Sequence, residues 1–250
     1  MPEPHPDAVQ LLDLTLDTPD GELRARVGVP SGPIRLAELA YNALGLDQRL
    51  VALAERREAR QGRAISCRKG CGACCRHLVP LSPPEAWMMA DVVASMPEPR
   101  RRAVYGRFEA AVRELEKHGF RERLMQGVET DEAVRELARA YFALWLDCPF
   151  LEEESCSIHA VRPSICREYM VTTPAELCAD PFGQPVRRIS VSVRLSKALA
   201  RLAAELLGGE PQLIPLPLGL AWAAEHAEEG RREWDGRTML ERLLTLMSEK

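Results

Sequence analysis

The stretch Cys67-Arg-Lys-Gly-Cys71-Gly-Ala-Cys74-Cys75-Arg76-His77 carries four thiols within nine residues, two of them adjacent. A thiol can pair as a disulfide, attack as a nucleophile or, once ionised, bind a soft metal. Four more cysteines follow at Cys148, Cys156, Cys166 and Cys178, so the chain holds eight in two groups. None precedes residue 67 or follows residue 178. Cysteines acting only as small buried apolar residues would be scattered along the helices. Sites that take four thiolates need clustered donors. The grouping therefore predicts that Cys67, Cys71, Cys74, Cys75, Cys148, Cys156, Cys166 and Cys178 are metal ligands.

On an ideal helix the first four thiols would line a stripe about 100° wide. Gly70 and Gly72 would permit close backbone approach. Cys74 and Cys75 are hard to aim at one ion, so they are expected to serve different ligands or different metals. The second group has gaps of seven, nine and eleven residues and needs a folded loop to gather it. Pro163 suits the start of a short helix that puts Cys166 near its N-terminal turns, where the helix dipole favours thiolate. The first group lacks the separation of two zinc knuckles, so both groups are expected to meet at one site. Eight thiolates are a heavy negative load. Arg76, Arg162 and Arg167 are expected around them as outer cations, with Arg68 and Lys69 nearby. His159 is better placed to ligate than His77, which reads as a packed residue.

Taken together, CRKGCGACCRH and CPFLEEESCSIHAVRPSICREY resemble the YkgJ-like cysteine-cluster family, whose members are described as zinc- or iron-chelating or as iron–sulfur proteins. The shared elements are the dense cysteine run, a Cys-Pro-Phe-Leu start, a Cys-x-Ile-His step and an Arg-Pro-x-x-Cys-Arg step. The first gap here has three residues where the family pattern has two. A similar cluster occurs in the flagellin lysine N-methylase, and that resemblance implies iron–sulfur chemistry with S-adenosylmethionine. Cys67, Cys71 and Cys74 also match the Cys-x3-Cys-x2-Cys spacing of radical S-adenosylmethionine enzymes. The chain lacks the alternating strands and helices of their barrel.

Zinc and iron–sulfur clusters both accept four thiolates. Zinc usually takes paired knuckles, whereas compact runs are more typical of iron–sulfur ligation. The expected cofactor is an iron–sulfur cluster, 4Fe-4S first, with zinc as the alternative. The expected function is that of an iron–sulfur protein with a redox or S-adenosylmethionine-linked transferase role. A zinc-binding structural or interaction protein and a metal sensor or transfer protein are the alternatives. Whether the chain is an enzyme stays open, and no catalytic residue is assigned. No P-loop, dinucleotide fingerprint or His-Glu-x-x-His is present.

The elements that must position these thiols read as mainly α. Leu12, Leu14 and Leu16 alternate with polar residues, and so do Leu23, Ala25, Val27 and Val29 beyond Thr-Pro-Asp-Gly, which predicts a hairpin over residues 1–30. A helix is predicted from Pro33 to about Arg60, with Gly45 as a break. Ser82-Pro-Pro-Glu85 reads as a capping box opening the next helix. Others are predicted over Glu98–His118 with Gly119 as its stop, Asp131–Asp147, a segment ending at Gly208-Gly209, Leu216–Glu229 and Gly236–Ser248. The Asp131–Asp147 helix is expected to deliver Cys148 from its end. Trp87 and Trp145 are expected in the core, and Glu152, Glu153 and Glu154 in a solvated turn.

The expected whole is a single helical domain over 1–250 with an N-terminal hairpin appendage, metal-tied loops at 67–178 and C-terminal helices at 188–250. With 250 residues and 46% hydrophobic content the chain can bury a sizeable core. A net charge of −4 argues against nucleic acid. The opening MPEPHPDAVQ has no basic start and apolar run, and no segment is long enough to span a bilayer. The expected setting is cytoplasmic, where thiols stay reduced. A protein partner stays open.

Overall fold

Alternating apolar and charged residues build the first element of the computed structural model, which describes residues 9–126 and 130–249. Strands β1 (Val9–Thr18) and β2 (Gly21–Pro30) pair antiparallel, with Leu14 opposite Ala25 and Leu16 opposite Leu23. At the turn the Asp20 amide donates to Thr18 Oγ1 at 3.2 Å. Gly21 takes a φ of 125°, open to glycine alone among ordinary residues. Leu14, Leu16, Leu23, Ala25, Val27 and Val29 are buried and belong to the main hydrophobic core. Residues 1–8 of the expected hairpin segment lie outside the described residues.

Pro33 does not open a helix. Residues Pro33–Arg35 form β3, paired antiparallel with Glu233–Asp235 near the far end of the chain. Helix α1 (Leu36–Arg60) starts behind it, where the Arg35 amide donates to Glu38 Oε2 at 2.8 Å. It runs through Gly45 without a break, because its buried stripe of Leu39, Ala43, Leu46, Leu50 and Leu53 continues on both sides. Packing of that stripe outweighs the helix cost of one glycine, about 1 kcal/mol.

After α1 the chain is irregular as far as β4 (Pro80–Leu81), except for a 3-10 turn at Ala73–Arg76. β4 pairs with Ile214–Pro215. Helix α2 (Pro83–Ala94) follows, then α3 (Glu98–Lys117), stopped where Gly119 adopts a φ of 64°. Helices α4 (Phe120–Met125) and α5 (Asp131–Ala143) lead to a two-residue hairpin, β5 (Leu151–Glu152) and β6 (Ser155–Cys156). Glu153 and Glu154 form its turn, both at positive φ.

The short helix α6 (Ser164–Glu168) carries Cys166. Beyond it come α7 (Leu195–Leu207), β7 (Ile214–Pro215), α8 (Gly219–Glu225), α9 (Ala227–Gly230), β8 (Glu233–Asp235) and α10 (Gly236–Ser248). The described residues thus contain ten helices and only two-stranded sheets, the mainly helical class with an N-terminal hairpin that the periodicities predict. No helix of the described residues is long and apolar enough to cross a membrane.

One buried carboxylate joins the helical core to the cysteine-bearing loops. Glu85 of α2 is fully buried. Its Oε2 accepts from the Ser82 amide at 3.0 Å and the Ser82 hydroxyl at 2.7 Å. Its Oε1 accepts from the Ser164 amide at 2.9 Å and the Ser164 hydroxyl at 2.7 Å. The first pair is the capping interaction read from Ser-Pro-Pro-Glu. The second caps α6, the helix of Cys166, from 79 residues away. Glu85→Ala would strand four buried donors and should cost about 3 kcal/mol of stability. Urea denaturation monitored by circular dichroism measures this, and a loss below about 1 kcal/mol would contradict the clamp.

Candidate metal centre

The eight cysteines are all free thiols. The first group does not lie on a helix. Cys67 to Gly72 is irregular, and only Cys74 and Cys75 share the 3-10 turn Ala73–Arg76. The run is therefore a loop and a turn, not the ideal helix on which the stripe was laid out. Gly70 explains part of this: its φ of 84° is incompatible with a right-handed helix. Gly72 supplies the close approach expected of it. A Cβ there would lie 2.6 Å from Glu154 Oε2, 2.8 Å from Leu151 Cδ1 and 3.2 Å from the Glu154 Cα. The first cysteine loop thus rests directly on the β5–β6 hairpin.

Main-chain hydrogen bonds place the other thiols. The Ser66 amide donates to the Val171 carbonyl at 3.0 Å, and the Val171 amide donates to Cys67 Sγ at 3.4 Å. Cys178 sits seven residues beyond Val171, in the 3-10 turn Ala175–Ala179, which packs on the turn of Cys74 and Cys75. The Cys148 amide donates to the Cys75 carbonyl at 2.8 Å. The Cys148 carbonyl then takes the Leu151 amide at 2.8 Å, and β5 pairs Leu151 with Cys156. Cys166 stands on α6, held from below by Glu85 through Ser164.

The expected delivery of Cys148 from a helix end is corrected. Helix α5 stops at Ala143, and Trp145 adopts a φ of 52°. Residues 144–147 form an irregular bridge to Cys148. Trp145 is 52% exposed, not core, and lies under the Arg76 guanidinium at 5.2 Å. Trp87, by contrast, is buried as expected and donates to the His226 carbonyl at 3.2 Å.

Electrostatics describe a crowded, mostly protonated set of sulfurs. Burial raises Cys67, Cys156 and Cys166, and lifts Cys148 to about 12 and Cys178 to about 11. Burial overrides the helix-dipole effect expected at Cys166. Cys74 moves the other way, to about 7, because the Cys75 thiol donates a hydrogen bond to it, and Cys75 is raised by the same contact. Several backbone amides favour thiolate: Val171 at Cys67, Phe150 at Cys148 and Ile158 at Cys156. The Tyr169 hydroxyl does the same at Cys178.

The neighbour relations divide unevenly. The thiols acting most strongly on Cys67 are Cys74 and Cys71, and those acting on Cys178 are Cys67, Cys74 and Cys71. Those acting on Cys75 are Cys74, Cys148 and Cys156, and those acting on Cys166 are Cys148, Cys74 and Cys156. Cys74 is common to both. Among the described residues no three His, Cys, Asp or Glu side chains form a ready-made ion cage. Neutral S–H groups have no reason to converge on a point; a metal displaces their protons and draws the sulfurs together.

The three flanking arginines differ. Arg162 favours the thiolate at Cys67, Cys74, Cys156 and Cys166, and its Nε has no hydrogen-bond partner. Arg167 is buried and braces the loop, donating to the carbonyls of Arg162 at 3.0 Å and of Ala160. Arg76 pairs with Asp147 at 2.8 Å and Glu154 at 2.7 Å, tying the first loop to the segments that bear Cys148 and Cys156. His77 packs edge-on to Phe142 and Tyr169, its Nε2 lying 3.4 Å from the Cys178 carbonyl oxygen. His159 is exposed in a 3-10 turn. Glu153 and Glu154 are in a turn as expected, whereas Glu152 ends β5; Glu154 and Glu152 are ion-paired, Glu152 with Arg107 at 2.6 Å.

Spacing gave no signal for the polar floor beneath Cys166. Asp47 of α1 is fully buried with both oxygens unpartnered, and burial raises it to about 8. It faces Glu168, Arg167, Glu85 and Arg162. Glu168 takes Arg194 at 2.7 Å on one oxygen and leaves the other free.

Eight free thiols, several with amide donors to sulfur, make up a soft donor set of the kind that zinc and iron–sulfur clusters take. Residues 66–182 match the family model CxxCxxCC, described as "Putative zinc- or iron-chelating domain". The resemblance read from the cysteine run is thereby borne out, and metal binding is supported by the match. Residues 1–65 and 183–250 lie outside it. No curated protein and no solved structure matches the chain.

Two substitutions test this geometry. Gly72→Ala should at least halve bound metal by elemental analysis, since a Cβ there crowds Leu151, the Glu154 side chain and the Glu154 backbone together and pushes the loop off the hairpin; full metal content would contradict the contact. Asp47 is raised above its ordinary value of 3.8, so its stabilising protonation is complete below that pH. Stability should fall as pH rises from about 4 towards about 8 and then level off. Asp47→Asn should remove that slope in urea titrations and leave the chain more stable than the parent at pH 8.

Proposed function

We propose that the chain is an iron–sulfur protein whose eight cysteines hold the cofactor, 4Fe-4S in type, in a redox role. One observation carries the reading: the fold brings the segments of Cys148, Cys156, Cys166 and Cys178 beside the first cysteine loop as free thiols, with backbone amides donating to several sulfurs. Soft thiolates suit iron–sulfur clusters and zinc, and the donor chemistry fits either. Amide hydrogen bonds to sulfur and nearby cations are the levers that set cluster potential, and Arg162, whose Nε has no hydrogen-bond partner among the described residues, supplies such a cation.

The residues have distinct tasks in this reading. Cys67, Cys71, Cys74, Cys75, Cys148, Cys156, Cys166 and Cys178 ligate. Arg162 offsets their charge, Arg76 and Arg167 hold the loops in register, and Glu85 fixes the helix of Cys166. Bound iron–sulfur would supply one-electron chemistry. Cys67 is exposed, so an electron has a short route between that edge and solvent or a partner.

Zinc is the second reading, supported by the site's tying role: the cysteine segments link α1, α2 and α5 through loops with little regular structure of their own. Purification without oxygen decides between them. Iron and acid-labile sulfide in near-equal amounts, with a broad visible absorption that bleaches on reduction, is the expected result. Zinc without sulfide would overturn it.

A further inference from the structure

We infer that the exposed edge of the cysteine site is a docking surface for a protein partner whose contact face carries carboxylates. The inference deepens the redox reading above by naming what meets the Cys67 edge. The contact it assigns does not depend on which metal the thiols hold.

Cys67 is the one exposed cysteine of the eight. The Val171 amide donates to its Sγ at 3.4 Å, and Val171 forms an antiparallel bridge with Arg188. Bridged residues lie about 5 Å apart, so the Arg188 backbone passes within about 10 Å of that sulfur. The Thr172 amide donates to the Arg187 carbonyl at 3.0 Å, and the Arg187 amide to Thr173 Oγ1 at 3.2 Å. The segment carrying both arginines is thereby held against the edge, and both side chains are exposed. Lys69, two residues beyond Cys67, is exposed as well.

A row of rings joins these cations to another. His77 meets Tyr169 at 5.0 Å and Phe142 at 5.3 Å, and Phe142 meets Phe182 at 5.8 Å. The Arg188 guanidinium lies over Tyr169 at 5.6 Å, and that of Arg139 over Phe182 at 5.5 Å. A guanidinium stacked on a ring keeps its in-plane N–H groups for a carboxylate. Because the ring already restrains it, less side-chain freedom is lost when a partner binds.

The charge balance selects the partner. Among the described residues no carboxylate lies within ion-pair distance of Lys69, Arg139, Arg187 or Arg188, whereas Arg68 beside them is paired with Glu176. The nearby acids are Asp180, which accepts the Gly183 amide at 3.0 Å, and Glu136, one turn before Arg139 on α5. A positive excess remains on a chain whose net charge is −4. At the Trp145 end Arg76 is already neutralised by Asp147 and Glu154, so a partner's carboxylates are drawn to the Cys67 side. A uniformly charged polyanion meets repulsion from the rest of the chain. A protein with a few carboxylates placed against these arginines does not.

The test uses fluorescein-labelled decaglutamate as the probe on the full-length chain as purified, read by fluorescence anisotropy. Saturable binding is expected at low salt, weakened at least tenfold at about 200 mM sodium chloride. Arg139→Glu with Arg188→Glu should weaken it at least tenfold. Lys69→Glu with Arg187→Glu, which disturbs no ring contact, should do the same. Arg231→Glu with Arg237→Glu makes the same charge change on the C-terminal elements and should cost less than twofold. No saturable binding, retention of binding by either of the first two variants, or an equal loss in the third would overturn the docking surface. So would tighter binding of labelled decathymidylate through the same arginines, which would assign the surface to nucleic acid. Zinc without sulfide in the same sample, with decaglutamate bound as expected, would sink the redox reading and leave the surface standing. Sulfide present without binding would do the reverse.

Discussion

A cysteine carries its donor atom one carbon from the backbone, so a thiolate site goes wherever its main chain is held. That short reach is the constraint on which this structure depends. Long ligands can bend towards a metal; cysteines require loops from distant parts of the chain to approach within a few ångströms and stay there. The hydrogen bonds that achieve this are between main chains: Ser66 to Val171, Cys148 to Cys75 and Leu151 to Cys148. Gly72 belongs to the same solution, because a side chain there would crowd Glu154 and Leu151. The helices are the anvil. Helices α1, α2 and α7 share the core, and Glu85 passes their rigidity to α6 and so to Cys166.

Charge is the second constraint. Buried sulfurs resist ionisation, as the raised Cys148, Cys166 and Cys178 show. Metal binding requires that ionisation, so the fold must offset it locally. Amide donors and Arg162 do so directly. Asp47 contributes by remaining neutral: a second buried carboxylate beside Glu168 would add repulsion near the thiols. Arg76 and Arg167 act mechanically, since their guanidinium groups are engaged by carboxylates and carbonyls.

Much of the frame is legible because helix periodicity and capping are local. The Ser82-to-Glu85 box, the Gly119 stop, α10 and the register of β1–β2 follow from neighbours within a few residues. Long-range pairing overrode the local signals elsewhere. Pro33 suits a helix start, yet its strand partner lies some 200 residues later, at Asp235. The apolar pattern of α5 runs on through Trp145, but the chain leaves the helix after Ala143 to bring Cys148 against Cys75. Gly45 is a poor helix former whose neighbours are nevertheless gripped by the core.

The eight cysteines, their two groups and the soft-metal chemistry they imply were determined by the sequence itself, because residue type and spacing are enough to define a donor set. The crowding of Cys74 against Cys75 was legible too. Which sulfur neighbours which was decided only in the tertiary structure. The gaps between Cys148, Cys156, Cys166 and Cys178 admit many loop paths, and main-chain hydrogen bonds across about 70 to 105 residues select among them. The same holds for the buried carboxylates. Asp47 and Glu85 read as ordinary helix residues until the fold closes over them, and burial alone turns one into a neutral acid and the other into a clamp.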